Sequence, residues 1–310
     1  MTNWTTNNIP DLTDKVMIVT GANSGIGLET AREVACKGAQ TILACRSMEK
    51  AQEALTDIQQ STPAAQVEII QLDLGSLKSV HQFADSFKAK YSQLDLLVNN
   101  AGVMWPPYGK TEDGFETQFG TNHLGHFALT GLLIDHLMKT PHARVVNVSS
   151  MGHRSGIMDF DNLMFEGGEG YTRHGAYARS KLANLLFTYE LQRKFEASHA
   201  DTIAIAAHPG GTATNLSRHV EEAWYFRALR PLFALLAQSP AMGALPTLRA
   251  AVDPAVTGSQ YYGPGGLQEM RGYPILVQSN DASHNQSDAE RLWAMSEELT
   301  GVHYDWPVPA

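Results

Sequence analysis

The 310-residue chain carries 23 Lys and Arg against 32 Asp and Glu, a formal net charge of −9, and 43% of its residues are hydrophobic. The acidic balance, with cations scattered and not clustered, argues against a phosphate-backbone partner, so no nucleic acid is expected. Cys36 and Cys45 are the only cysteines, too few for a disulfide framework and without zinc spacing, so both are read as small core side chains in a reducing compartment.

The polar start, Met1 to Lys15, has no signal-peptide pattern, and no apolar run reaches the ~20 residues of a membrane span. A cytoplasmic protein without a transmembrane segment is therefore expected. Short apolar runs then alternate with amphipathic stretches, the pattern of parallel strands joined by helices. Strands are predicted at Lys15 to Thr20, Gln40 to Cys45, Val67 to Leu72, Leu94 to Val98, Arg144 to Val148 and Ile203 to Ala207, with a short one near Gln260 to Tyr262. Helices are predicted at Gly25 to Lys37, Met48 to Gln60, from Ser76 to about Tyr91, within Phe115 to Met138, at Tyr177 to Phe195 and around Ala289 to Leu299. Together they make one α/β domain over 1–310, a doubly wound, mostly parallel seven-stranded sheet with helices on both faces. Within the region 215–250, the apolar run Ala223 to Leu236 is expected to form a lid over a lipophilic pocket. Ordinary core packing weighs equally, and attachment to a membrane surface is a lesser alternative.

The first strand runs into Thr20-Gly21-Ala22-Asn23-Ser24-Gly25-Ile26-Gly27, and a helix follows. Gly21 permits a tight turn, Gly25 lets the backbone approach a pyrophosphate, and Gly27 lets the helix pack closely. The helix start offers free N–H groups and a positive dipole end to phosphates. This is a Rossmann-type dinucleotide turn with the spacing G-x-x-x-G-x-G. NAD-binding chains usually place an acid at the end of the second strand. Here that place reads Ala44-Cys45-Arg46-Ser47, and the Arg46 guanidinium suits a 2′-phosphate, which points to NADP(H).

Tyr177-Ala178-Arg179-Ser180-Lys181 places a phenol and an ammonium one helical turn apart, on one face. A free phenol, with pKa ~10, is a poor base at neutral pH, and a nearby ammonium stabilises the phenolate. The pair is thus a candidate general acid/base. His123, His126 and His153 have no carboxylate at ligand spacing, so no metal site is expected.

TGxxxGxG followed in order by NNAG (Asn99 to Gly102), Ser149-Ser150 and YxxxK resembles the short-chain dehydrogenase/reductases. The segments ACRSMEKA, TNHLGHFALT, RVVNVSS, YARSKLANLLFTYEL, HPGG and RLWAMSEELTG are similar to the retinol-dehydrogenase-like branch, which includes the WW-domain oxidoreductases. The likeness covers nearly the whole chain. It implies Ser150, Tyr177 and Lys181 as catalytic residues, with Ser149 as a neighbour one register step away and Asn122 holding a water near the lysine. For the cofactor it implies Gly21, Asn23, Ser24, Gly25, Ile26, Gly27, Arg46, Asp73 and Leu74 (the aspartate at the adenine). It adds Asn99, Ala101, Gly102, Tyr177 and Lys181, and a turn of Pro209, Gly211 and Thr212 at the nicotinamide carboxamide.

The implied reaction interconverts a carbonyl and an alcohol, with a lipophilic ketone or aldehyde expected as the small-molecule substrate. Reduction of a C=C bond on the same scaffold, and a catalytically silent NADP(H) sensor, are the competing readings. A homodimer or homotetramer through the helices holding Asn122 and Tyr177 is implied as well. The chain departs from the branch in two ways. Ser150 and Tyr177 stand 27 positions apart, with Met151 to Gly175 expected as an ordered loop over the active site. Neither an N-terminal membrane anchor nor a WW module is recognisable, so membrane retinoid metabolism is not expected.

Overall fold

An unbroken apolar run such as VMIVT has no polar face to give to water, so it must be covered on both sides. The computed structural model, which describes residues 3–212 and 238–306, shows how this is done. Among the described residues eight strands form one sheet: β1 (Val16–Thr20), β2 (Gln40–Cys45), β3 (Val67–Gln71), β4 (Leu96–Asn99), β5 (Arg144–Val148), β6 (Ile203–Ala207), β7 (Tyr261–Pro264) and β8 (Pro274–Leu276). Their order is β3-β2-β1-β4-β5-β6-β7-β8, parallel except for the antiparallel pair β7–β8. The expected seven strands are therefore eight. The added β8 is a three-residue edge strand, too short to show alternation, with Ile275 and Leu276 exposed.

Two apolar layers sandwich the sheet. On one face α1 (Gly25–Cys36) and α2 (Met48–Ser61) bury Val34, Ala35 and Ile58 against Val19, Leu43 and Val98. On the other, α3 (Leu77–Lys88) buries Phe83 and Phe87 against Ile18, Ile42 and Leu97. Ser47 and Ser76 cap α2 and α3 by accepting from Lys50 N and Ser79 N. Cys45 is a core side chain as expected, but Cys36 is exposed, because the last turn of α1 presents Val34 and Ala35 inward instead.

The long helix expected within Phe115 to Met138 is divided. It comprises α4 (Thr117–Phe119), a π-helical turn at Gly120–Leu124, α5 (Gly125–Leu132) and α6 (Ile134–Lys139). A Cβ at Gly125 would stand 2.4 Å from Leu74 O, so this helix presses directly on the end of β3. Helix α7 (Arg173–Ala197) is buried over most of its length, and the C-terminal helix, named below, packs across it.

The lid run Ala223 to Leu236 lies outside the described residues. The described end of that region forms α8 (Pro240–Val252), whose Ala244, Leu248 and Ala251 join the core layer beside α1. The last helix, α9 (Gln286–Thr300), buries Leu292 and Trp293. It packs against α7 and α5 of the same chain. No helix among the described residues is long and apolar enough to cross a membrane.

Candidate active site

The strand order reverses between β1 and β4, and a crevice opens there at the carboxyl ends of the strands. It holds a cavity of about 420 Å³ lined by Gly21, Asn23, Ser24, Gly25, Ile26 and Gly27 on one side and by Arg46, Asp73, Leu74, Ala101 and Gly102 on the other. The turn is shaped by backbone against backbone. Gly21 has φ +66°, and a Cβ on Gly27 would lie 2.4 Å from Gly21 O and 2.5 Å from Asn100 Nδ2. Ser24, the residue before α1, makes no side-chain cap, so the first amides of the helix are left to face the crevice. This cradle, which side chains would fill, suits the pyrophosphate of a dinucleotide.

Around it, Arg46 is well exposed and its guanidinium stands 4.0 Å from Asp73 Oδ2. Asp73 Oδ1 accepts from Gly75 N at 2.9 Å, while the capping of α3 falls to Ser76. Asn99 differs from its expected place. It is buried inside the sheet, donating to Thr130 Oγ1 and to Asn147 Oδ1. Asn100 lines the cavity instead, and its Nδ2 donates to Thr20 O at 2.8 Å. Asn99 is the last residue of β4 and turns into the sheet, while Asn100, just past the strand, turns to the cavity. Ser47 and Lys50 line the cavity as well, and their place in the first turn after β2 is the sequence signal for them.

The other sequence-derived residues meet where β5, α7 and the π-helical turn approach one another. Ser150 follows β5, its Oγ accepting from Gly152 N at 3.1 Å and standing by the Tyr177 phenol. Ser149 points away, donating to Lys181 O at 2.9 Å, whereas Ser150 faces the Tyr177 phenol. Gly152 lets the chain pass the phenol, because a Cβ there would lie 3.3 Å from the Tyr177 ring. Lys181 is buried, 4% exposed, donating to Val148 O at 2.9 Å with Nζ 5.8 Å from the Tyr177 ring centroid. Burial pushes its ammonium down to about 8. Burial also pushes the Tyr177 phenol up, and the Ser150 hydroxyl works against that rise. The expected lowering of the phenol by Lys181 is thus not the governing effect in this structure. Desolvation, which disfavours the charged form of each group, governs both.

Asn122 sits in the π-helical turn, a geometry often found at functional sites. Its side chain accepts from Val103 N at 2.7 Å and donates to Val103 O and Ser180 Oγ. Its carbonyl accepts from His126 Nδ1 at 3.0 Å. That fixes the His126 proton on Nδ1, so Thr20 Oγ1 donates to Nε2 at 2.9 Å. Burial pushes His126 down to about 4 and His123 to about 3, so both are neutral packing residues. Gly102 closes the junction, since a Cβ there would lie 3.0 Å from Asn122 Oδ1 and 3.7 Å from Lys181 Nζ. Among the described residues no three His, Cys, Asp or Glu are grouped to hold a metal ion.

The Met151 to Gly175 connection is ordered by α7 itself. Arg179 donates to Ile157 O, Asn162 O and Leu163 O and stacks on Phe165, 3.9 Å from its ring centroid. Trp105 packs on His174 and Tyr108 on Tyr171, which puts an aromatic wall at the start of α7. After β6, the Pro209 to Thr212 turn is held from the β7–β8 connection. Gly211 N donates to Met270 O at 2.8 Å, and Gln238 donates to Pro209 O at 2.7 Å. Near it, the His208 hydrogen bond and the Arg154 ion pair hold the Glu269 carboxyl below the usual range.

The chain resembles known proteins along most of its length. The family model for short chain dehydrogenase matches residues 15–224. Retinol dehydrogenase 13 of Homo sapiens is 42% identical over 293 residues, covering 93% of this chain and 85% of that protein. Retinol dehydrogenase 12 of Homo sapiens is 41% identical over 298 residues, covering 95% and 89%. Among solved structures, an uncharacterized protein from Mycobacterium paratuberculosis is 40% identical with a TM-score of 0.81, covering 99% of this chain and 100% of that one.

Proposed function

This chain belongs to the short-chain dehydrogenase family, in its retinol-dehydrogenase-like branch, and on that premise we propose that it is an NADP(H)-dependent enzyme. It interconverts a carbonyl and an alcohol on a lipophilic ketone or aldehyde, in the cytoplasm. The observation that carries this reading is the convergence of Ser150, Tyr177, Lys181 and Asn122 beside Gly102, where the glycine-turn cavity ends. The branch's named retinol dehydrogenases support a lipophilic substrate, and the aromatic wall of Trp105 and Tyr108 agrees with one. Arg46 at the end of β2, where no acid stands, supports NADP(H).

The amides opening α1 would hold the cofactor phosphates, Arg46 the 2′-phosphate, Asp73 the adenine, Lys181 the nicotinamide ribose and Pro209 to Thr212 the carboxamide. When bound, the nicotinamide supplies a hydride to the carbonyl carbon or takes one from the alcohol. Ser150 Oγ and the Tyr177 hydroxyl hydrogen-bond the substrate oxygen and stabilise the charge that develops there. A phenol kept protonated by burial is suited to donate, and Tyr177 gives its proton to the oxygen as the alkoxide forms. The Lys181 ammonium then stabilises the phenolate left behind. Asn122 fixes the Val103 backbone and Ser180 beside this pair, which keeps the helix face in place.

The test is turnover of a panel of lipophilic aldehydes and ketones with NADPH and, separately, NADH, with the alcohol product identified. Alcohol formation preferring NADPH is expected. Saturated carbonyl from an enone would favour C=C reduction instead, and cofactor binding without turnover would favour a sensor.

A further inference from the structure

Two turns carry groups near the reacting centre: the 3-10 turn Met151–Ser155 that follows Ser150, and the His208 to Thr212 turn after β6. Both are tied to one carboxylate. Glu269 accepts from His208 Nε2 at 2.9 Å through one oxygen and from Arg154 at 2.7 Å through the other. His208 is fully buried, and its Nδ1 accepts from Gly210 N, so the proton lies on Nε2 and points at Glu269. Gly263 leaves the ring its space, since a Cβ there would stand 2.0 Å from His208 Nε2.

The backbone beside Glu269 tightens the same grip. A Cβ at Gly210 (φ +65°) would lie 2.5 Å from Met270 O and 2.7 Å from Glu269 O. Gln268 and Glu269 are both left-handed, with φ of 49° and 58°. Such a conformation costs energy for residues other than glycine and persists where the surroundings over-determine it. A second path runs behind Ser150. His153 Nδ1 donates to Ser150 O at 2.6 Å, and its ring meets the Tyr261 ring, which also packs on His208, at centroid distances of 5.7 and 5.2 Å.

We propose that Glu269 is a positioning residue that fixes the seat of the nicotinamide relative to Ser150 by holding these two turns at a set separation. The inference rests on the function proposed above, in which Pro209 to Thr212 holds the carboxamide. A carboxylate suits this task, because each of its two oxygens takes one donor from a different turn. Glutamine replaces one of these oxygens by an NH2 group, so Glu269→Gln sets donor against donor in one arm while keeping the shape. Arg154→Ala breaks the other arm and leaves His208 bonded.

The experiment compares parent, Glu269→Gln and Arg154→Ala by titration with NADPH, read from the emission of the bound dihydronicotinamide, and with 2′,5′-ADP, which lacks the nicotinamide. The deuterium isotope effect on turnover with 4-deuterated NADPH is measured beside them. The expected result is unchanged affinity for 2′,5′-ADP, about tenfold weaker NADPH binding with altered emission, and a larger isotope effect in both variants. A lowered Tm with NADPH affinity, emission and isotope effect all as in the parent would make Glu269 merely structural and overturn the proposal. Equal loss of both ligands in the variants would overturn it too. A parent that binds neither ligand would remove the functional reading itself, and this inference with it.

Discussion

The two turns assigned to opposite ends of the cofactor are built in different ways. The β1–α1 turn is backbone packed on backbone, with Gly27 under Gly21 O and Asn100, and it is written in consecutive residues from Thr20 to Gly27. The turn after β6 is held by side chains from far along the chain: Glu269, 61 positions from His208, and Gln238, 29 positions from Pro209. The first has its shape from the absence of atoms and can be broken by adding one. The second has its shape from a network and can be loosened one hydrogen bond at a time.

Adding an atom therefore has the larger effect. Gly27→Ala forces a methyl group against Gly21 O, and dinucleotide affinity measured by calorimetry is expected to fall roughly 100-fold. An affinity equal to the parent's would show that the turn is not the phosphate cradle. At the mouth of the same cavity, Arg46→Ala removes an exposed cation and no packing. The preference for NADPH over NADH, read as the ratio of kcat/KM values, is expected to fall about tenfold. An unchanged ratio would leave Arg46 a solvated surface residue.

Lys181 separates the two kinds of construction by pH. Its folded pKa, about 8, lies below its ordinary value of 10.5, so the folded state carries the cost of a buried ammonium below about pH 8. The unfolded chain holds that proton up to about 10.5, so stability from this group rises with pH between the two values. Lys181→Met should therefore raise the Tm of the cofactor-free protein at pH 7 by a few degrees, a gain that shrinks as pH climbs through that window. A lowered Tm would mean that the bond to Val148 O outweighs the desolvation. In the parent, kcat/KM for NADPH, which reports the free enzyme, should fall as pH rises above about 8 and the ammonium is lost.

The same contrast explains what could be read in the sequence. Strands β2, β5 and β6 occupy the residues expected of them, and β1 begins one residue later, because each is a local apolar run bounded by turn residues. The glycine turn, Ser150 and the Tyr177–Lys181 pair are local patterns too, and the structure brings them to one crevice and its end. The Asn99–Asn100 assignment turns on where β4 ends and which side each residue takes there, which a four-residue strand does not declare. The π-helical turn at Gly120–Leu124 interrupts a helical period by a single residue and is hidden in the pattern. The grip of Glu269 depends on Gln268 and Glu269 adopting positive φ, and neither residue type announces it.

The most direct test of the account is the rate of NADPH oxidation, followed by its near-ultraviolet absorbance, with a lipophilic aldehyde for the parent and for Tyr177→Phe. The phenol and the phenyl ring differ by one hydroxyl at a site where packing is otherwise kept. The account predicts turnover in the parent and a loss of roughly 10²- to 10⁴-fold in kcat in the variant, with NADPH still bound. Full activity in Tyr177→Phe would contradict it.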